Sequence, residues 1–128
     1  MKYMTFIRHS ESYRESGPPK ALMEAMDAFV QQLVREGAFV DGGGLRASAE
    51  GARMRLAQGK LTTLDGPFTE TKEIVGGYAI LEAPTRARAL EIATQFMELH
   101  RRHWPEFEGE CEVRPMFSPG EGPKCHDP

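Results

Sequence analysis

An amphipathic helix must bury one stripe, and this chain carries two such stripes, each bracketed by β-type runs. From Lys20 to Glu36 the apolar residues Leu22, Met23, Met26, Phe29, Val30, Leu33 and Val34 recur at steps of one and three. That spacing predicts a helix with a single apolar face. Pro18-Pro19 stands where such a helix begins, and Gly37 is a natural C-cap. A second helix opens at Pro84-Thr85 with Thr85 as N-cap. It presents Leu90, Ala93, Phe96 and Met97, widened by Ile92 and Leu99, and frays near Trp104-Pro105. The remaining periodicity is that of strands: Lys2–Arg8, Ala38–Val40, Arg53–Leu56, Leu61–Leu64, Val75–Leu81 and Cys111–Phe117. Gln58-Gly59-Lys60 reads as a hairpin turn, and Pro67 ends the returning strand because it cannot donate to a ladder.

The resulting order is strand, helix, strand, hairpin, strand, helix, strand. Two strand–helix–strand units joined by a β insertion predict an α+β fold. It is a ferredoxin-like antiparallel sheet with both helices on one face. Lys2–Arg8 and Val75–Leu81 are apolar on both sides, so the sheet face away from the helices needs a cover as well. A second copy supplies it most simply, which predicts a homodimer packed sheet to sheet.

Length and charge narrow the function classes. The 128 residues fit one domain, placed at 1–117, followed by a flexible tail at 118–128 that is too rich in Pro, Gly and charge to fold alone. A net charge of -3 argues against a dedicated nucleic-acid binder. No apolar run approaches the length of a bilayer span, and the start MKYMTFIRHSES lacks a signal peptide's apolar core, so a soluble, cytoplasmic protein is expected. Cys111 and Cys125 form neither a disulfide framework nor a CxxC motif, and both are expected as thiols. Met4, Met23, Met26, Met54, Met97 and Met116 are expected as core gap-fillers.

The most distinctive string is DGPFTETKE, Asp65 to Glu73, which packs a sharp turn, an aromatic anchor, two hydroxyls and several ionisable groups together. Carboxylates in such company can raise one another's pKa and serve as general acid or base, with Lys72 opposing the shift. The same string also suits a rigid turn in which Asp65 caps its own backbone. His9, at the end of the first strand, is a candidate proton carrier near neutral pH, with Asp65 or Asp41 as possible carboxylate partner. In a catalytic reading His9, Asp65 and Glu70 move protons. Arg8, Gly43, Phe68, Lys72 and Glu73 then form the ligand-binding set, Arg8 or Lys72 orienting an anionic substrate. His100 and His103 have i, i+3 spacing but no further ligands, so they read as a solvated helix end, and neither metal nor cofactor is assigned. Gly42–Gly44 lacks the context of a nucleotide-binding loop and reads as a glycine-lined strand edge. Arg86 and Arg88 sit at a helix N-terminus, where either Glu82 pairs with one of them, the favoured reading, or they hold an anionic group.

These motifs together resemble the YCII-related family, specifically its DGPF-domain branch. The resemblance rests on MKYM at Met1–Met4, GGGL at Gly42–Leu45, DGPFTETKE at Asp65–Glu73, Gly76-Gly77-Tyr78, and EGECEVRPMF at Glu108–Phe117. It implies a ferredoxin-like unit that dimerises as an α+β barrel, in a superfamily that includes muconolactone isomerase and dehydrochlorinases of chlorinated hydroquinones. YCII-type enzymes pair a His near the start of the first helix with an Asp. The helix from Lys20 to Glu36 has no histidine, so that dyad is not carried over. Three functional readings stand: a homodimer binding a small organic ligand, with lyase- or isomerase-like chemistry; a non-catalytic module with a protein partner in sigma-factor-dependent transcription; or a stable dimer whose conspicuous motif only closes the barrel.

Overall fold

The structure, a computed structural model, describes residues 1–10, 17–68 and 74–125. Its elements are β1 (Lys2–His9), α1 (Lys20–Arg35), β2 (Phe39–Gly44), β3 (Ala52–Ala57), β4 (Lys60–Asp65), β5 (Ile74–Glu82), α2 (Arg86–His103) and β6 (Gly109–Pro115), with a short 3-10 turn at Ser48–Glu50. The four-stranded antiparallel sheet has the order β2-β5-β1-β6, and β3 and β4 form a separate two-stranded sheet. With the hairpin set aside, the connectivity and strand order are those of the ferredoxin-like unit that the sequence predicts.

Local signals account for the element ends. Thr85 accepts a hydrogen bond from the Arg88 backbone N–H at 3.1 Å, capping α2. Gly37 has φ +73°, the left-handed turn that stops α1. β2 runs on through its glycines, because Gly42 lies opposite Ala79 and Gly44 opposite Gly77 in the ladder with β5. A Cβ at Gly42 would meet the Tyr78 carbonyl oxygen at 2.8 Å, so glycine is what lets β2 lie flat there.

Alternation sorts the sheet into two faces. Tyr3, Thr5, Ile7 and His9 point toward the helices, as do their partners Leu81, Ala79 and Gly77 on β5. One core cluster joins Leu33 of α1 and Ile92 of α2 to Ala38 and Leu81, and a second joins Tyr3 to Ala83 and Ala89. Met4, Phe6 and Ile80 occupy the opposite face and are only partly buried.

Two packing expectations are corrected. Met54 is 76% exposed and Met23 44%. Met54 belongs to the separate β3–β4 sheet, where its side chain stands exposed, so it fills no core. Glu82 pairs with the Met1 ammonium at 2.7 Å, since it lies opposite Lys2 in the ladder. Arg88 instead bridges Glu36 at the end of α1 and Glu91 on its own helix, at 3.1 and 2.6 Å.

Candidate functional site

Between α1, α2 and the helix-facing side of the sheet lies a cavity of about 660 Å³. Most of its wall is apolar, with Phe29, Val30, Phe39 and Ile92 among the lining side chains. The backbone of Gly42–Gly44 lines it too, where missing side chains leave room. Thr5, Asp27, Gln31 and Tyr78 add polar residues to the wall, and the imidazoles lie at one end, where β1, α2 and β6 converge. There His9, His100, Trp104, Phe107 and Cys111 all line the cavity.

His9 reaches this end because it is the last odd-numbered residue of β1, and it is 9% exposed. Its Nδ1 lies 2.8 Å from the Ser10 carbonyl oxygen. A carbonyl can only accept, so Nδ1 carries the hydrogen in this contact. His100, 6% exposed, makes the corresponding bond from Nδ1 to the Phe96 carbonyl at 3.1 Å, which leaves its Nε2 as an acceptor. Phe107 links the two imidazoles, with centroids 6.0 Å from His9 and 4.9 Å from His100. Burial pushes the His100 pKa below the ordinary imidazole value, the Phe96 carbonyl opposes this, and the nearby His9 lowers it further. His100 is therefore neutral at pH 7, a base presented inside an apolar enclosure. Burial pushes the Cys111 thiol up, so it is a poor nucleophile there.

The residues singled out in the sequence are dispersed. Arg8 follows the same alternation that turns His9 inward and so lies on the opposite face, paired with Glu112 at 3.2 Å and placed over Phe6. Asp65 ends β4 on the hairpin. Asp41 lies on the outer face, where it accepts hydrogen bonds from the Tyr78 hydroxyl at 3.3 Å and the Gly42 N–H at 2.8 Å. Neither aspartate joins the cavity wall. Phe68 supports the hairpin base, with the Arg53 guanidinium 3.8 Å from its ring centroid. A Cβ at Gly66 would overlap the Ser48 carbonyl oxygen, so the glycine of the DGPF string is set by close packing on the 3-10 turn. Glu70, Lys72 and Glu73 lie outside the described residues. Among the described residues no cluster of His, Cys, Asp and Glu could hold a metal.

His100 is the site residue that the sequence reading placed in solvent. Its signal is the step of four from Ile92 to Phe96 to His100, which continues the inward face of α2 by one more turn.

Fold and cavity together define a ferredoxin-like α+β protein with a ligand-sized chamber between sheet and helices. The YCII-related domain model matches residues 1–98, and the chain belongs to that family. An uncharacterised protein from Rhizobium meliloti (strain 1021) is 28% identical over 104 residues, which is 80% of each chain. The matched domain stops two residues short of His100. Among the described residues, no helix is long and apolar enough to cross a membrane.

Proposed function

We propose that this chain is a small-molecule-binding protein of the DGPF branch of its family, in which His9 and His100 exchange a proton with the bound ligand. The observation that carries this reading is the pair of buried imidazoles at one end of a mostly apolar cavity of ligand size. They take the place of the His–Asp dyad that the first helix lacks. Among the described residues the cavity wall holds no Lys or Arg, and the one charged residue among them, Asp27, is exposed on α1. A charged carboxylate would therefore enter without a counter-ion, which favours a neutral, ring-bearing ligand with a hydroxyl or carbonyl group for the imidazoles. The DGPFTETKE string supports the branch assignment. The partly buried Met4, Phe6 and Ile80 support a homodimer packed through the outer sheet face, and two free thiols suit the cytoplasm.

The test is a thermal-shift screen of phenols, hydroxypyridines and cyclic ketones beside the matching carboxylates, with the histidine ring signals followed by NMR. Neutral compounds should raise Tm and move both imidazole signals, and His9→Gln or His100→Gln should weaken binding about tenfold or more. Binding that prefers the carboxylates, or that ignores both substitutions, would overturn the reading.

A further inference from the structure

We propose that the β3–β4 hairpin of one copy adds as an extra pair of strands along the free edge of β6 in a second copy. This goes beyond the packing of the two outer sheet faces, because it names a different contact and a different segment.

The hairpin is a two-stranded sheet separate from the main one. Two-stranded ribbons are marginal in water, and this one exposes Met54, Leu56 and Leu61 by 76%, 69% and 73% on a single face. A contiguous apolar surface of this kind marks an interaction site. Its other face carries Arg53, Arg55 and Lys60.

β6 offers a matching acceptor. It is an edge strand. The bond from Met116 N–H to the Lys2 carbonyl shows that its even-numbered residues face β1. The N–H and C=O groups of Cys111 and Val113 therefore point outward from the sheet. On the helix side of that edge, Leu90, Ala93, Met97 and Val113 line an apolar groove of about 430 Å³ between α2 and β6. On the outer side stand Glu110 and Glu112.

Backbone phase joins the two surfaces. The bond from Gly66 N–H to the Gly51 carbonyl shows that odd-numbered β3 residues face β4, so the backbone groups of Ala52, Met54 and Leu56 point away from β4. The handedness of L-residues then ties direction to face. An antiparallel approach of β3 to β6 puts Met54 and Leu56 on the groove side and Arg53 and Arg55 on the outer side. In one register Met54 faces Cys111, Arg55 faces Glu110 and Arg53 faces Glu112. Arg55 and Glu110 have no partner among the described residues, so the contact would pair two free charges.

Two facts choose a second copy as the occupant. The hairpin carries Arg53, Arg55 and Lys60 against Asp65, a net +2 in a chain of -3, so the remainder is -5 and attracts the arm of another copy. The hairpin also springs from β2, at the opposite edge of the sheet, about 14 Å from β6 at the usual strand spacing.

The experiment uses the full chain and sedimentation velocity, with circular dichroism as the check on folding. Arg55→Glu or Glu110→Arg should each weaken dimerisation about tenfold, and the double exchange should restore it to within about threefold. In a Cys125→Ser background, Arg55→Cys with Glu110→Cys should give a covalent dimer on a non-reducing gel under mild oxidant, since facing pairs of this type suit a disulfide. A dimer that shows neither charge coupling nor cross-linking would overturn arm exchange while leaving face-to-face packing standing. A chain that stays monomeric at all concentrations would overturn both.

Discussion

The main sheet and the hairpin are both antiparallel β-structure with alternating side chains, yet they end in opposite environments. In the main sheet, two helices cover the odd-numbered face of β1, and even histidines are drawn below a tenth of their full exposure. In the hairpin, four large apolar residues, Met54, Leu56, Leu61 and Leu64, stand in solvent within the single chain. Alternation therefore says which residues share a face. Only the neighbouring layers decide whether that face becomes a core, a cavity wall or an unfilled interface.

The largest effect that tests this contrast comes from truncating one leucine in each region. Leu22→Ala, at a side chain with no exposure, should cost about 2–5 kcal/mol in urea denaturation. Leu56→Ala should cost less than about 0.5 kcal/mol at concentrations where the chain is monomeric. A loss comparable to that of Leu22 would show that the hairpin is covered within its own chain.

A smaller effect is expected from pH. The folded pKa of His100 lies below its unfolded value of about 6.5, so the unfolded chain binds the extra proton first. The stability tied to neutral His100 is complete above that value and is lost as pH falls toward the folded pKa. Wild-type Tm should therefore drop on acidification below about pH 6.5 by more than that of His100→Phe. Parallel pH curves for the two proteins would remove His100 from the set of buried bases.

The smallest perturbation compares the thiols and leaves the fold untouched. Cys125 is exposed, whereas burial raises the Cys111 pKa. At pH 7 an alkylating reagent should modify one thiol per native chain quickly and the second only on denaturation, as read by mass spectrometry. Fast modification of both would mean that the β6 side of the cavity opens readily.

These contrasts also mark what the sequence makes legible. Both helices, the Thr85 cap, the Gly37 stop and the hairpin follow from spacing and turn chemistry, because those signals act within a few residues. The separation of Arg8 from His9 is legible as well, since neighbouring strand residues point to opposite faces. His100 escaped because the basic string around it resembles a solvated helix end, although Ile92 and Phe96 already define its face. The partner of Arg88 and the exposure of Met54 were not legible, because both depend on which elements become neighbours in space. The cavity belongs to the same class: no local pattern encodes how far α1 stands from the sheet.

Trp104 gives that cavity an optical readout. It is the single tryptophan of the chain, it is 8% exposed, and its ring lies 5.1 Å from that of Phe107, within the aromatic group that also holds His100. Emission excited near the red edge of the indole band therefore originates from one place, the wall of the chamber. A molecule entering the chamber, or a proton arriving on the imidazole beside it, changes the polarity and quenching around that one fluorophore. The unmodified protein thus reports on its own binding site without a label.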